Sequence, residues 1–140
     1  MIQKLLITFG ILLYGIAVPI LEINETHVFN PDWTPHVRIH EVWQLTTNSA
    51  IAIFCAYWLW LRDRVQLAGV LGLLIMGGFL FAFAIQDSYG GSMKYLDGSE
   101  KTLFGVNIGV VGFGLGSLTT ALALLLERRA IAFKEKSKAI

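Results

Sequence analysis

Residues 65–85 read VQLAGVLGLLIMGGFLFAFAI, a run of 21 residues without a charged side chain. A helix needs about 20 mostly apolar residues to cross the ~30 Å hydrocarbon layer of a bilayer. Arg62 and Arg64 stand immediately before the run. The run therefore predicts a transmembrane helix with a basic edge.

Three more apolar stretches of similar length accompany this run. They cover about residues 5–21, 43–61 and 103–126. Between the stretches, residues 22–42 and 86–102 form the two longer polar segments, which must hold any polar chemistry. We therefore expect one all-α domain over residues 1–140, built as an integral membrane four-helix bundle.

The lysines and arginines predict the orientation, because cytoplasmic loops of membrane proteins carry the excess of these residues. Eight of them fall on one side of the four predicted helices and three on the other. The eight are Lys4, Arg62, Arg64, Arg128, Arg129, Lys134, Lys136 and Lys138. Both termini are expected in the cytoplasm, and the protein in the inner (cell) membrane of a bacterium.

Composition and charge narrow the class of protein. With 55% hydrophobic and 15% charged residues, the chain is too apolar for a soluble domain of this size. The net charge of +1 comes from two oppositely charged faces. We therefore expect membrane lipid as a partner and do not expect nucleic acid. The single cysteine, Cys55, excludes a disulfide framework within the chain.

The first polar segment holds all three histidines, at positions 27, 36 and 40. Thr34 and Pro35 follow the pattern of a helix start, with a hydroxyl side chain as N-cap and proline in the first turn. The second helix is thus expected to begin about eight residues before its membrane span.

Polar side chains recur along the start of this helix at steps of three or four, which places them on one face. They are His36, His40, Gln44, Thr47 and Asn48. In hydrocarbon an unpaired polar group is costly. We therefore expect this face to line a cavity or a hydrogen-bonded core inside the bundle, with Gln44 and Thr47 as substrate-binding residues.

The histidines allow two kinds of chemistry. His36 or His40 can ligate a metal or haem iron, or His40 can act as an acid or base with Glu41 or Asp87. Tyr89, in the second polar segment, is a candidate catalytic residue, although a tyrosine there also suits a membrane anchor. Asn107 is expected to close the same cavity from the fourth helix.

Glycines form strips on the last two predicted helices. They are Gly69, Gly72, Gly77 and Gly78 on the third, and Gly105, Gly109, Gly112 and Gly116 on the fourth. Small residues spaced in this way let helix backbones approach closely in lipid. The strips can meet a helix of the same bundle or of a second protomer.

Several of these residues together resemble the styrene oxide isomerases. The resemblance rests on the run Gly10-Ile-Leu-Leu-Tyr-Gly15, on Trp33 in the following loop, and on His36-Val-Arg38-Ile-His40 with Asn48 beyond it. It covers the layout of nearly the whole chain, through a short shared motif. It implies a four-helix membrane protein that forms a trimer and binds haem b.

The resemblance also implies roles for individual residues. In that family a histidine after an Arg-x pair ligates the haem iron, which corresponds to His40 after Arg38. The ferric iron acts as a Lewis acid that opens an epoxide, and the product rearranges to an aldehyde. An asparagine and a tyrosine hold the substrate, which points to Asn48 and Tyr89. Glu41-Val42-Trp43 replaces the Ser-Gly-Pro that the family carries after its histidine.

Three functional hypotheses follow from the sequence. The first is an isomerase that uses haem or a metal at His40 on a small apolar molecule. The second is a metal-free acid/base isomerase of a sterol-like or terpenoid substrate. The third is a membrane assembly or lipid-binding subunit without catalytic activity.

Overall fold

The structure is a computed structural model that describes residues 1–95 and 97–138. Four long helices dominate this described part. They are α1 (Ile2–Glu22), α2 (Pro35–Leu61), α3 (Val65–Ala84) and α4 (Ile108–Lys138). Between α3 and α4 the chain forms a 3-10 turn (Gln86–Tyr89) and a hairpin of two short strands, β1 (Thr102–Leu103) and β2 (Val106–Asn107).

Within the described residues, three of the four helices, α1, α3 and α4, are long and apolar enough to cross a membrane. Helix α2 has 27 residues, which gives a length of about 40 Å at 1.5 Å per residue. Its first half carries many polar and charged side chains, from His36 to Asn48. The predicted span 43–61 is therefore not among the three.

The helices run alternately up and down. Lys4 Nζ lies 2.5 Å from Asp63 Oδ1, and the Trp60 indole N–H donates to Thr8 Oγ1 at 3.0 Å, so α1 starts beside the turn between α2 and α3. We call this the turn end of the bundle. At the opposite end, the loop end, the rings of His27 and Tyr95 lie 6.1 Å apart and bring the two long loops together.

The bundle core is apolar and contains residues from all four helices. It includes Ile7, Ile11, Tyr14, Ala52, Cys55, Leu59, Ala68, Met76, Phe113 and Ala123. On α2 the buried positions repeat at intervals of three, four and seven residues, as expected for one inward face of a helix. This face of α2 decides where its polar side chains must point.

Helix α1 contains a π-helical turn at Leu13–Ala17. Pro19 has no N–H, so the carbonyl of Gly15 lacks the donor that an α-helix would supply. Ser49 Oγ of α2 donates to that carbonyl at 3.3 Å. A Cβ atom on Gly15 would overlap the Cβ of Ala52, so the α1 and α2 backbones meet closely at this point.

The start of α4 differs from the prediction. The helix begins at Ile108, after a tight hairpin whose corner residues Phe104 and Gly105 have φ values of 52° and 80°. Gly105 therefore belongs to a turn that needs left-handed backbone, and not to a helical strip. Asn107 lies before the helix, where its Oδ1 accepts from the N–H groups of Gly109 at 2.8 Å and Val110 at 3.3 Å.

The glycine strip of α4 packs unevenly. A Cβ atom at Gly116 would lie 2.6 Å from Met76 Sδ and 2.9 Å from Leu13 Cδ1, whereas one at Gly112 would meet nothing within 4 Å. Gly116 thus marks a close approach of α4 to α1 and α3. Gly112 faces open space in the single chain, so it packs against no other helix of its own bundle.

We therefore expect Gly116→Leu to destabilise the bundle and Gly112→Leu to leave it nearly unchanged. Overpacking a close contact costs about 1–3 kcal/mol. Thermal unfolding of the two variants in the same detergent measures the difference, and the substitution at Gly112 controls for the general effect of leucine on the helix. Equal melting temperatures of the two variants would contradict the close approach of α4 to α1 and α3 at Gly116.

Candidate functional site at the loop end of the bundle

The predicted start of α2 is confirmed. Thr34 is the N-cap, and its Oγ1 accepts from the N–H of Val37 at 3.3 Å, while Pro35 occupies the first turn. Capping in this way satisfies one of the free N–H groups of a helix start. It fixes the first turns of α2, and with them the two histidines that follow.

His36 and His40 form a pair on one face of α2. Their Nε2 atoms lie 3.1 Å apart, and their ring centroids are 4.6 Å apart. Trp43 stacks on His40, with ring centroids 5.9 Å apart and planes inclined by 29°. The structure thus brings the two predicted ligands together and orders one of them against an indole ring.

The polar face of α2 points out of the single chain. His36, His40, Gln44 and Thr47 are exposed, and Asn48 is half-buried beside the inward face. The prediction that these side chains line an interior cavity is therefore wrong for the first four. Leu45, Ala52 and the rest of the apolar face occupy the interior because they have the larger hydrophobic gain.

Arg38 and Glu41 lie toward the bundle and away from the histidine face. Arg38 Nη2 donates to the carbonyl of Pro31 at 3.2 Å and fastens the preceding loop to α2. Glu41 is half-buried, and burial raises the pKa of its carboxyl group. In the single chain, Arg38 therefore holds the preceding loop against α2, and Glu41 is part of the packing beside the helix.

The other predicted residues lie apart from the histidine pair. Asp87 is exposed in the 3-10 turn, and the Tyr89 hydroxyl donates to the carbonyl of Ala82 at 3.0 Å. Asn107 caps α4 and donates from Nδ2 to Glu100 Oε1 at 3.1 Å. In the described part of the chain, no hydrogen bond or ion pair joins any of the three to His40.

The structure contains a second histidine cluster, which the sequence reasoning missed. His27 Nε2 lies 2.7 Å from Glu22 Oε2, and His27 Nδ1 lies 2.8 Å from Thr26 Oγ1. Only about a quarter of each side chain of the ion pair is exposed, at 24% for His27 and 26% for Glu22. The rings of Trp33 and Tyr95 meet the His27 imidazole edge-on at 5.6 and 6.1 Å.

The electrostatics of this cluster favour a neutral imidazole. Burial lowers the pKa of His27, and the ammonium group of Lys101 lowers it further. Burial and, to a smaller extent, the charge of Glu41 raise the pKa of the Glu22 carboxyl group to about 7, while the charge of Lys101 opposes this shift. An imidazole that is neutral at pH 7 and hydrogen-bonded through both nitrogens can accept or pass on a proton.

Asn24 is the signal that could have revealed the cluster. Its side chain donates to the carbonyl of Leu21 at 2.5 Å, and its Oδ1 accepts from the N–H of Thr26 at 2.8 Å. Asparagine commonly forms such a turn with the backbone two residues later. The turn folds the chain back over the end of α1 and places His27 against Glu22.

The donor set at the histidine pair limits which metal it suits. Among residues 1–95 and 97–138, no group of three or more histidine, cysteine or acidic side chains is placed to hold a metal ion. A structural zinc site needs four protein ligands. Haem iron needs only one axial histidine from the chain, since the porphyrin supplies four nitrogens. The exposed His40 imidazole fits that requirement better than it fits a zinc site.

No family model, no curated protein and no solved structure matches the chain.

Proposed function

We propose that this protein is a four-span membrane isomerase of the bacterial inner membrane. In this proposal His40 holds haem b, or His36 and His40 together hold a metal ion, and the substrate is a small apolar molecule. The observation that carries the proposal is the pair of exposed imidazoles with Nε2 atoms 3.1 Å apart. The resemblance of residues 36–40 to the styrene oxide isomerases supports the choice of haem and of an isomerase reaction.

The proposed topology follows from how α2 connects its neighbours. Helix α2 leaves the loop end after α1 and reaches the turn end before α3, and it packs against both. If α1 and α3 cross the bilayer, α2 must cross it as well. The four spans then place both termini in the cytoplasm, in agreement with the positive-inside rule.

Labelling of introduced cysteines tests this topology. We expect Asp32→Cys and Asp97→Cys, in a Cys55→Ala background, to react with an impermeant thiol reagent added outside intact cells. Asp63→Cys at the turn end should react only after the membrane is opened. Reaction of only one of the two loop cysteines from outside would contradict four spans.

The chain's own residues have distinct parts in the proposed reaction. His40 would hold the iron or metal ion through its imidazole, Trp43 stacks on the His40 ring, and the half-buried Asn48 would offer the substrate a polar contact. When bound, the iron or metal ion would supply Lewis acidity toward an oxygen atom of the substrate. Gln44 and Thr47 complete the polar lining beside His40.

Because the polar face of α2 points out of the single chain, we propose that the protein forms an oligomer through this face. Trp43 is 65% exposed, and Gln44 and Thr47 would be unpaired polar groups in lipid. A second copy of the chain would cover them and supply the other wall of the cofactor site. The resemblance implies a trimer, and the mass of the detergent-solubilised protein tests this directly. A monomeric mass with haem bound would contradict it.

Absorbance and metal analysis of purified protein test the function. We expect a Soret band at a fixed ratio to protein, and conversion of an apolar epoxide to a carbonyl compound. A colourless protein that is free of metal and converts an isomerase substrate would instead support the second candidate. Protein that has no bound group and no activity would support a non-enzymatic subunit.

The second candidate is a metal-free acid/base isomerase of a sterol-like or terpenoid substrate. The observation that favours it is the Glu22–His27 pair, because a half-buried carboxylate within 2.7 Å orients an imidazole for proton transfer. His40 has no such acidic partner among the described residues. Activity that depends on His27 and not on His40 would therefore replace the first proposal with this one.

A further inference from the structure

The turn between α2 and α3 presents two arginines. Arg62 ends α2, Asp63 adopts left-handed backbone with φ 53°, and the N–H of Arg64 donates to the carbonyl of Trp58 at 2.9 Å. All three turn residues are exposed. The backbone hydrogen bond fixes the reversal, so both guanidinium groups stay at the turn end of the bundle.

The acidic residue of this turn is already engaged. Asp63 pairs with Lys4 at 2.5 Å, and Lys4 lowers the pKa of the Asp63 carboxyl group and keeps it ionised. Among the residues that the structure describes, no carboxylate lies within ion-pair distance of Arg62 or Arg64. Arg62 and Arg64 therefore have no carboxylate partner there and leave the turn with unbalanced positive charge.

A cavity of about 490 Å³ that is open to solvent lies at this turn. Trp58, Leu61, Arg62, Asp63 and Arg64 line it. The Arg62 guanidinium stands 5.7 Å from the centre of the Trp58 ring, and Leu61 is 70% exposed beside it. The cavity thus combines two cations with an aromatic ring and an aliphatic rim.

The start of α3 adds to the positive potential. No side chain caps its first N–H groups. Uncapped N–H groups at the start of a 20-residue helix favour a nearby anion. Guanidinium groups in turn bind phosphate oxygens in a bidentate manner. These features are chemically complementary to a phosphate group that is joined to an apolar chain.

We propose that this cavity binds the phosphate headgroup of an anionic glycerophospholipid of the cytoplasmic leaflet. The phosphate lies between Arg62 and Arg64, and the acyl chains follow Leu61 into the bilayer. The exposed aliphatic rim favours a lipid over free phosphate, which would gain nothing from Leu61. This inference rests on the proposed membrane topology, and it does not depend on haem or on catalysis.

Native mass spectrometry of the full-length protein from vesicles of defined composition tests the site. We expect one phosphatidylglycerol to stay bound per chain, and phosphatidylcholine to be lost. The double substitution Arg62→Gln/Arg64→Gln should reduce retention of phosphatidylglycerol about tenfold or more, because charge-assisted hydrogen bonds are lost. The control double substitution Arg128→Gln/Arg129→Gln removes the same amount of charge from α4 and not from the turn. This variant should retain the lipid.

Each other outcome would overturn the proposal. Equal loss of phosphatidylglycerol from the two double variants would mean that lipid binding depends on overall surface charge and not on this turn. Displacement of phosphatidylglycerol by inorganic phosphate would assign the site to free phosphate. If the glutamine variant fails to fold, Arg62→Lys/Arg64→Lys keeps the charge without the bidentate geometry, and full retention by it would exclude a guanidinium site. Thiol labelling of the Asp63→Cys variant shows separately on which side of the membrane the turn lies.

Discussion

His40→Ala should abolish the Soret absorbance and the isomerase activity that we propose for the protein while leaving the bundle folded. If His40 is the axial ligand, its removal leaves the iron without a bond to the chain. The imidazole is exposed, and among the described residues its hydrogen-bond and stacking partners, His36 and Trp43, lie on its own helix, so its loss costs little packing. Circular dichroism and thermal unfolding in detergent should therefore match the unmodified protein.

Two companion variants separate the possible ligand sets. His36→Ala should keep the Soret band if His40 alone ligates haem iron, and should lose the bound ion if a metal requires both imidazoles. His27→Ala should affect neither, since His27 faces Glu22 at the other histidine cluster. Full haem content or full activity in the His40 variant would show that the site is wrong.

Gly15→Ala should destabilise the bundle much more than the same methyl addition at Gly78. The new Cβ would overlap the Cβ of Ala52, and both atoms are attached directly to helix backbones, so no side-chain rotation can relieve the clash. The helices must separate, which also weakens the hydrogen bond from Ser49 Oγ to the Gly15 carbonyl. We expect a loss at or above the upper end of the ~1–3 kcal/mol that overpacking costs.

Gly78→Ala is the matched control for this prediction. It makes the same change in the interior of α3, where a Cβ atom meets nothing within 4 Å. Alanine is the better helix former by about 1 kcal/mol, so this variant should be neutral or slightly stabilised. The double variant Gly15→Ala/Ala52→Gly should recover stability. A stable Gly15→Ala protein would show that α1 and α2 do not meet at these residues.

The helical architecture could be predicted because it depends on local pattern. Apolar runs of about 20 residues mark α1, α3 and α4, and Thr34-Pro35 marks the start of α2. The predicted span 43–61 lies in α2, whose first half is polar, and it is the span that is missing from the three apolar helices. The start of α4 was predicted too early, since the hairpin at Phe104 and Gly105 depends on two residues of left-handed backbone that an apolar count does not detect.

The candidate site could be predicted only in part. Helical spacing placed His36 and His40 on one face, and the structure brings their imidazoles together. Spacing could not tell which face of α2 would be buried, because Leu45, Ala52 and Cys55 form a second, more apolar face on the same helix. The Glu22–His27 pair depends on the turn at Asn24, a contact between side chain and backbone that no periodicity shows.

The π-helical turn of α1 sets the rotational phase of everything that follows it. A π turn accommodates one extra residue, and one residue corresponds to about 100° of rotation around an α-helix. After Leu13–Ala17 this rotation leaves Leu21 on the exposed side and turns Glu22 half-inward toward His27. If the same residues formed an ordinary α-helical turn, Leu21 would take the half-inward position, so that an aliphatic side chain would face His27 and the Glu22 carboxyl group would turn toward the exposed side of α1.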